Sequence, residues 1–97
     1  MANGYLIARI AVHDEERYKD YVAHTAAALE PFGGRFLIRG GKTECVEGSW
    51  DFGRTVVIEF PSFDQAKAWY ESDEYQRIAA IRREASTGDF VLAEGVA

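Results

Sequence analysis

Apolar and polar positions alternate from Tyr5 to Val12, with Leu6, Ala8, Ile10 and Val12 on one face and Tyr5, Ile7, Arg9 and Ala11 on the other. That two-residue period predicts a first β-strand. The period then changes. Asp14 is a plausible N-cap, and Glu15 and Glu16 suit the positive end of a helix dipole. Beyond them Tyr18, Tyr21, Val22, Thr25, Leu29 and Phe32 recur at three- and four-residue steps, the stripe of an amphipathic helix that Pro31 and Gly33-Gly34 close. Alternation returns in "RFLIR" (35–39), which sets Phe36 and Ile38 on one face and Arg35, Leu37 and Arg39 on the other. After Gly40-Gly41, read as a bulge or bend, it resumes from Lys42 to Glu47, and "GSWDFG" makes a turn.

A third strand, Arg54 to Phe60, puts Val56, Ile58 and Phe60 on one side and Thr55, Val57 and Glu59 on the other; Pro61 stops it. Ser62 with Gln65 forms a capping-box pattern ahead of Phe63, Ala66, Trp69 and Tyr70. Ser72 before Asp73 and Glu74 is a second start signal, so the helical region breaks near "YESDEY" and resumes through Tyr75, Ile78, Ala79, Arg82 and Ala85 until Gly88. "DFVLAEGV" supplies a fourth strand. No linker, repeat or low-complexity tract interrupts residues 1–97, which read as one domain.

The order βαββαβ predicts an α+β fold, a ferredoxin-like sandwich with a four-stranded antiparallel sheet. Crossovers through the two helices are expected to make strands one and three parallel central neighbours and to cover one sheet face with both helices. The other face is bare and carries Tyr5, Ile7, Arg9, Arg35, Leu37, Arg39, Thr55, Val57 and Glu59. Ile7, Leu37 and Val57 form an apolar patch of the kind that marks an interface, and a second copy of the chain is the expected cover.

Composition narrows the function. The formal charge of -5 disfavours phosphate backbones and anionic membranes, so no nucleic-acid or membrane partner is expected. The RNA-recognition domain shares this strand order, but "GRTVVIEF" has Thr55 and Val57 where its stacking aromatics belong. One cysteine, Cys45, and two histidines, His13 and His24, give no disulfide and no metal-ligand spacing, so neither metal nor cofactor is expected. The N-terminus lacks the pattern of a secretion signal, which points to the cytoplasm.

"GYLIARIAV", "DEERYKDYV", "FGGRFLIRGGKTECVEG", "VVIEFPSFDQAKAWYESDEYQ" and "FVLAEG" together resemble a bacterial family of domains of about 100 residues and unknown function. That family lies in the dimeric α+β barrel superfamily, and the resemblance covers nearly the whole chain. It implies a homodimer in which two bare sheet faces curl into a barrel, with the edge strand reaching the partner. Relatives in the superfamily include cofactor-independent monooxygenases, muconolactone-type isomerases, haem-dependent chlorite dismutase-like enzymes and stress-induced proteins, so membership leaves the chemistry open.

Within that frame Arg39 is expected to point into the barrel, and Arg9 to pair with Glu59 on the same face. Two arginines and a carboxylate at the wall of a partly apolar cavity suit a small organic acid; they equally suit an internal ion-pair network that fixes the dimer. Arg82, on the inward helical stripe, either pairs with a carboxylate or reaches the cavity mouth. Trp69 is packing first and ligand wall second. His24 is the obvious acid-base candidate by its titration range, with Glu59 as the other group able to move a proton. Cys45 has no neighbouring base and gives little ground for a nucleophile. The reading is a protein that binds a small anionic or enolisable molecule, as a monooxygenase- or isomerase-like enzyme or else as a non-catalytic homodimeric module.

Overall fold

A computed structural model of the protein describes residues 2–50 and 53–97. The alternating run at the N-terminus forms β1 (Gly4–Val12), and α1 (Glu15–Leu29) follows, started by the Asp14 side chain accepting from the Arg17 N–H at 3.0 Å. A 3-10 turn over Glu30–Phe32 ends in Gly33 at φ 71°, a left-handed position that favours glycine. Then come β2 (Arg35–Arg39), β3 (Arg54–Phe60), α2 (Phe63–Glu71), α3 (Asp73–Ala85) and β4 (Ser86–Glu94). Ser72 is both the end of α2 and the cap of α3: its Oγ donates to the Trp69 carbonyl at 2.7 Å and accepts from the Tyr75 N–H at 3.2 Å.

The sheet order is β2-β3-β1-β4 with every neighbouring pair antiparallel, the ferredoxin-like arrangement. Strands β1 and β3 are therefore antiparallel, not parallel as expected. The crossover through α1 brings β2 back parallel to β1, and β3, reversed after β2, inserts between them. The fourth strand also starts earlier than expected, directly after α3. Gly88 lies inside it rather than ending the helix, because a Cβ there would strike the Arg9 carbonyl oxygen of the neighbouring strand.

Beyond Gly40 the structure departs again from the expectation. Residues 41–46 form no strand and are exposed throughout; the turn expected over 48–53 falls partly on residues 51 and 52, which lie outside the described residues. The bulge sits inside β2 instead: Phe36 opposes Ile58 but Ile38 opposes Val57, leaving Leu37 as the extra residue. One inserted residue flips every later side chain to the opposite face. Ile38 thus moves to the bare face, and Arg39, opposite Val56, turns to the helix side of the sheet while staying exposed at the edge strand.

All three helices cover one sheet face, and the molecule is only 17 Å through its shortest axis, one helical layer on one sheet. Leu6, Ile10, Ile58 and Phe60 from the sheet meet Trp69 and Tyr75 from the helices, all fully buried. Trp69 stacks on Tyr75 at 4.0 Å and on Phe60 at 5.3 Å between ring centroids. Across the bare face runs one apolar row, Ile38–Val57–Ile7–Val91, a residue from each strand in register. Ile38, Ile7 and Val91 are 41, 37 and 56 % exposed. No described helix is long and apolar enough to cross a membrane.

Candidate functional site

Beneath the first turns of α1 a cleft of about 640 Å³ opens between helix and sheet. Ile10 and Val12 of β1 and Val22 and Ala23 of α1 make it apolar; Glu15 and Lys19 stand at its rim and Arg54 in its wall. Ile10, Tyr18, Val22 and Arg54 also line a smaller, deeper pocket of about 20 Å³, deeper in that buried Leu6, Tyr21, Thr25, Val56 and Ile58 wall it together with Phe36 and the exposed Arg39. The two spaces share a wall of aliphatic carbon, phenol and guanidinium.

Each arginine here is placed by a local backbone event. The Leu37 bulge turns Arg39 toward α1, where Nη2 donates to the Val22 carbonyl at 3.3 Å and the guanidinium lies 4.1 Å from the Phe36 ring centre. Arg54 opposes Ile10 at the start of β3 and lies across Gly40, whose φ of 73° and bare Cα leave room; a Cβ there would meet the guanidinium carbon at 2.7 Å. Arg54 also sits 5.4 Å from the Tyr18 ring centre, and its Nε is buried with no hydrogen-bond partner. Arg82 is 6 % exposed, stacked 3.9 Å from the Phe90 ring centre, again with an unpartnered buried Nε. None of these three arginines has a carboxylate partner among the described residues.

Phenols gather beside this charge. The Tyr21 and Tyr75 hydroxyls meet at 2.8 Å inside the core, and Thr25 Oγ1 donates to the Tyr21 carbonyl at 2.6 Å. Burial pushes the Tyr21 hydroxyl far above its ordinary value. Tyr18 is raised too, again by burial, against the opposing pull of Arg54 and Arg82. Both phenols hold their protons and act as neutral hydrogen-bonding groups.

The bare face carries a different set. Arg9 pairs with Asp89 at 2.7 Å and lies 4.8 Å from the Trp50 ring centre; it does not pair with Glu59 as expected. Antiparallel register puts Arg9 opposite Thr55 and Glu59 opposite Tyr5, about 13 Å away along the strand. Glu59 instead takes Arg35 at 2.7 Å, the Tyr5 hydroxyl at 3.0 Å and Asn3 at 3.1 Å. The Arg35 hydrogen bond, then that of Tyr5, holds its carboxyl below the ordinary value. His24 lines a separate groove between α1 and α3 with Glu74 and Arg77. Trp69 is fully buried and lines neither the cleft nor the deeper pocket.

Of the expected site residues, Arg39 reaches the space under α1, and Arg82 packs close behind it against Phe90, a wall of the deeper pocket. Arg9, Glu59, His24 and Trp69 lie elsewhere. Arg54 and Tyr18 were missed as site residues, although Arg54 shares the alternation of Val56, Ile58 and Phe60 and so could have been placed on the helix side. Among the described residues no three His, Cys, Asp or Glu side chains converge as metal ligands.

Residues 3–96 match the family described as "Domain of unknown function (DUF1330)". The chain belongs to that family. No curated protein matches this DUF1330 chain. Among solved structures it is similar to a protein of unknown function from Rhodopseudomonas palustris, at 14 % identity and a TM-score of 0.75, covering 99 % of this chain and 84 % of that one. It is also similar to SnoaB, a cofactor-independent oxygenase from Streptomyces nogalater (17 % identity, TM-score 0.65, 100 % and 96 % coverage). A third similar structure is a dimeric ferredoxin-like protein of unknown function from Thermobifida fusca (14 % identity, TM-score 0.61, 99 % and 92 % coverage). These likenesses establish the ferredoxin-like fold of this chain.

Proposed function

We propose that this DUF1330 protein is a cytoplasmic homodimer that holds a small anionic or enolisable organic molecule between α1 and the sheet of each protomer. The observation that carries the reading is the cleft itself: aliphatic walls with Arg54 among them and Arg39 in the adjoining pocket, neither of which has a carboxylate partner among the described residues. An arginine without a carboxylate in a partly apolar pocket is suited to a negatively charged group from outside. The dimer is supported by the apolar row across the bare face and by the dimeric neighbour from Thermobifida fusca. The exposed free thiol of Cys45 suits a reducing compartment.

If the site is catalytic, the reaction is cofactor-independent chemistry in which arginines hold developing negative charge, and the likeness to SnoaB supports that class. The cleft itself presents Tyr18 and Glu15 rather than His24 or Glu59. A second reading, a non-catalytic assembly module, is favoured by the bare face, where Arg9–Asp89 and Arg35–Glu59 already neutralise one another. Thermal shifts against small aromatic and aliphatic acids, quinones and lactones separate the two. A ligand at about 100 times its dissociation constant adds about 2.7 kcal/mol, which moves the midpoint of so small a domain by many degrees. A panel that leaves the midpoint unmoved selects the assembly module.

A further inference from the structure

We infer that the ligand enters charge first, one oxygen of a monoanionic carboxylate or enolate occupying the deeper pocket among Arg54, Arg39 and the Tyr18 hydroxyl, while its apolar body fills the outer cleft. This rests on the proposed function and adds the orientation and the charge class of the ligand. The deeper pocket, about 20 Å³, has room for a single water-sized group, so it takes an oxygen atom and not a ring. Its walls include two guanidiniums and no carboxylate, and Arg82 brings a third cation behind Phe90. Arg54 and Arg39 both line this pocket and neither has a carboxylate partner among the described residues, so guanidinium N–H groups are the donors that such an oxygen would take. Toward solvent the balance differs: Glu15 and Lys19 line the outer cleft beside Ile10, Val12 and Val22, and Lys19 is already paired with Glu16 at 3.2 Å. A second negative charge at the outer end of the ligand would face Glu15 and find no surplus of cations, so monoanions with an apolar body are selected over dianions.

Matched pairs of probes test this: benzoate against benzamide, hexanoate against 1-hexanol, and terephthalate as the dianion, titrated by calorimetry into the wild-type protein. Each carboxylate is expected to bind at least tenfold tighter than its neutral counterpart, and benzoate tighter than terephthalate. Arg54→Gln is expected to abolish the difference within each pair. Arg39→Gln, at an exposed position less exacting for folding, should reduce it several-fold. Neutral and charged partners binding equally well to the wild type would overturn the charged seat and leave the cleft as a site. A difference that survives both substitutions would also overturn it, because the charge would then be read elsewhere. If no probe binds the wild type, the seat and the proposed function fall together.

Discussion

Gly40 is where backbone and chemistry meet. Its φ of 73° is costly for any residue with a Cβ, and the space a Cβ would take is held by the Arg54 guanidinium. Gly40→Ala should therefore cost about 1–2 kcal/mol in backbone strain. It should also push Arg54 out of the cleft wall; denaturant unfolding reads the first effect and the loss of benzoate binding the second. Glu59 gives a pH test on the opposite face. Its folded-state carboxyl titrates below the ordinary value near 4.5, so its contribution to stability is present above that value and is lost as pH falls through the depressed one. Glu59→Gln should flatten that acid limb of the melting temperature against pH and leave the curve above pH 6 parallel to wild type. At this scale the sequence was only partly legible. Strict alternation assigned Arg35 and Glu59 correctly to the bare face, and it would have placed Arg54 as well. It failed at Arg39, because a single extra residue in β2 reverses the faces and leaves no mark in the composition of "RFLIR".

Helix starts were legible because each has a cap with its own chemistry. Asp14, Ser62 and Ser72 all accept from the backbone N–H three residues on, as their spacing foretold. Ser72 does more than the others, since its hydroxyl also satisfies the last turn of α2 and so fixes the bend that brings Trp69 onto Tyr75. Ser72→Ala should destabilise the protein by about 1 kcal/mol, in the usual range for a lost N-cap. Ser72→Asp should recover only part of that, because aspartate restores the cap on the Tyr75 N–H but cannot donate to the Trp69 carbonyl. Chemical denaturation of the three proteins checks the ranking. Strand boundaries were harder to read. The run Lys42–Glu47 alternates, yet it has no neighbouring strand to bond to, and alternation without a partner does not make a strand. The start of β4 was hidden by Gly88, which looks like a helix stop but serves a close approach to the Arg9 backbone.

For the whole molecule the decisive feature is a two-layer body with one face of its sheet covered by no described helix, Trp50 alone being seen to pack on it beside Arg9 and Thr55 among the described residues. The bulge that turns Arg39 inward also turns Ile38 outward, completing a row of four aliphatic side chains across all four strands. Charged pairs flank the row on both sides, Arg35–Glu59 along one edge and Arg9–Asp89 along the other. In the proposed dimer, stacking two copies of this face about a twofold axis would bury row on row and leave the charges at the rim. Val57, in the centre of the row, is the residue to change. In a monomer Val57→Asp places a carboxylate on a solvated face and should leave the fold intact by circular dichroism. In a stacked pair it buries two unpaired charges against aliphatic carbon, which the interface cannot compensate. Light scattering coupled to size exclusion should then fall from twice the chain mass to 10.9 kDa on substitution. A wild-type protein that already runs at the single-chain mass would refute the dimer, and a Val57→Asp protein that still runs as a dimer would move the interface away from this row. Because the cleft lies on the helix side, the monomeric variant should keep its preference for benzoate over benzamide, separating assembly from binding in one protein.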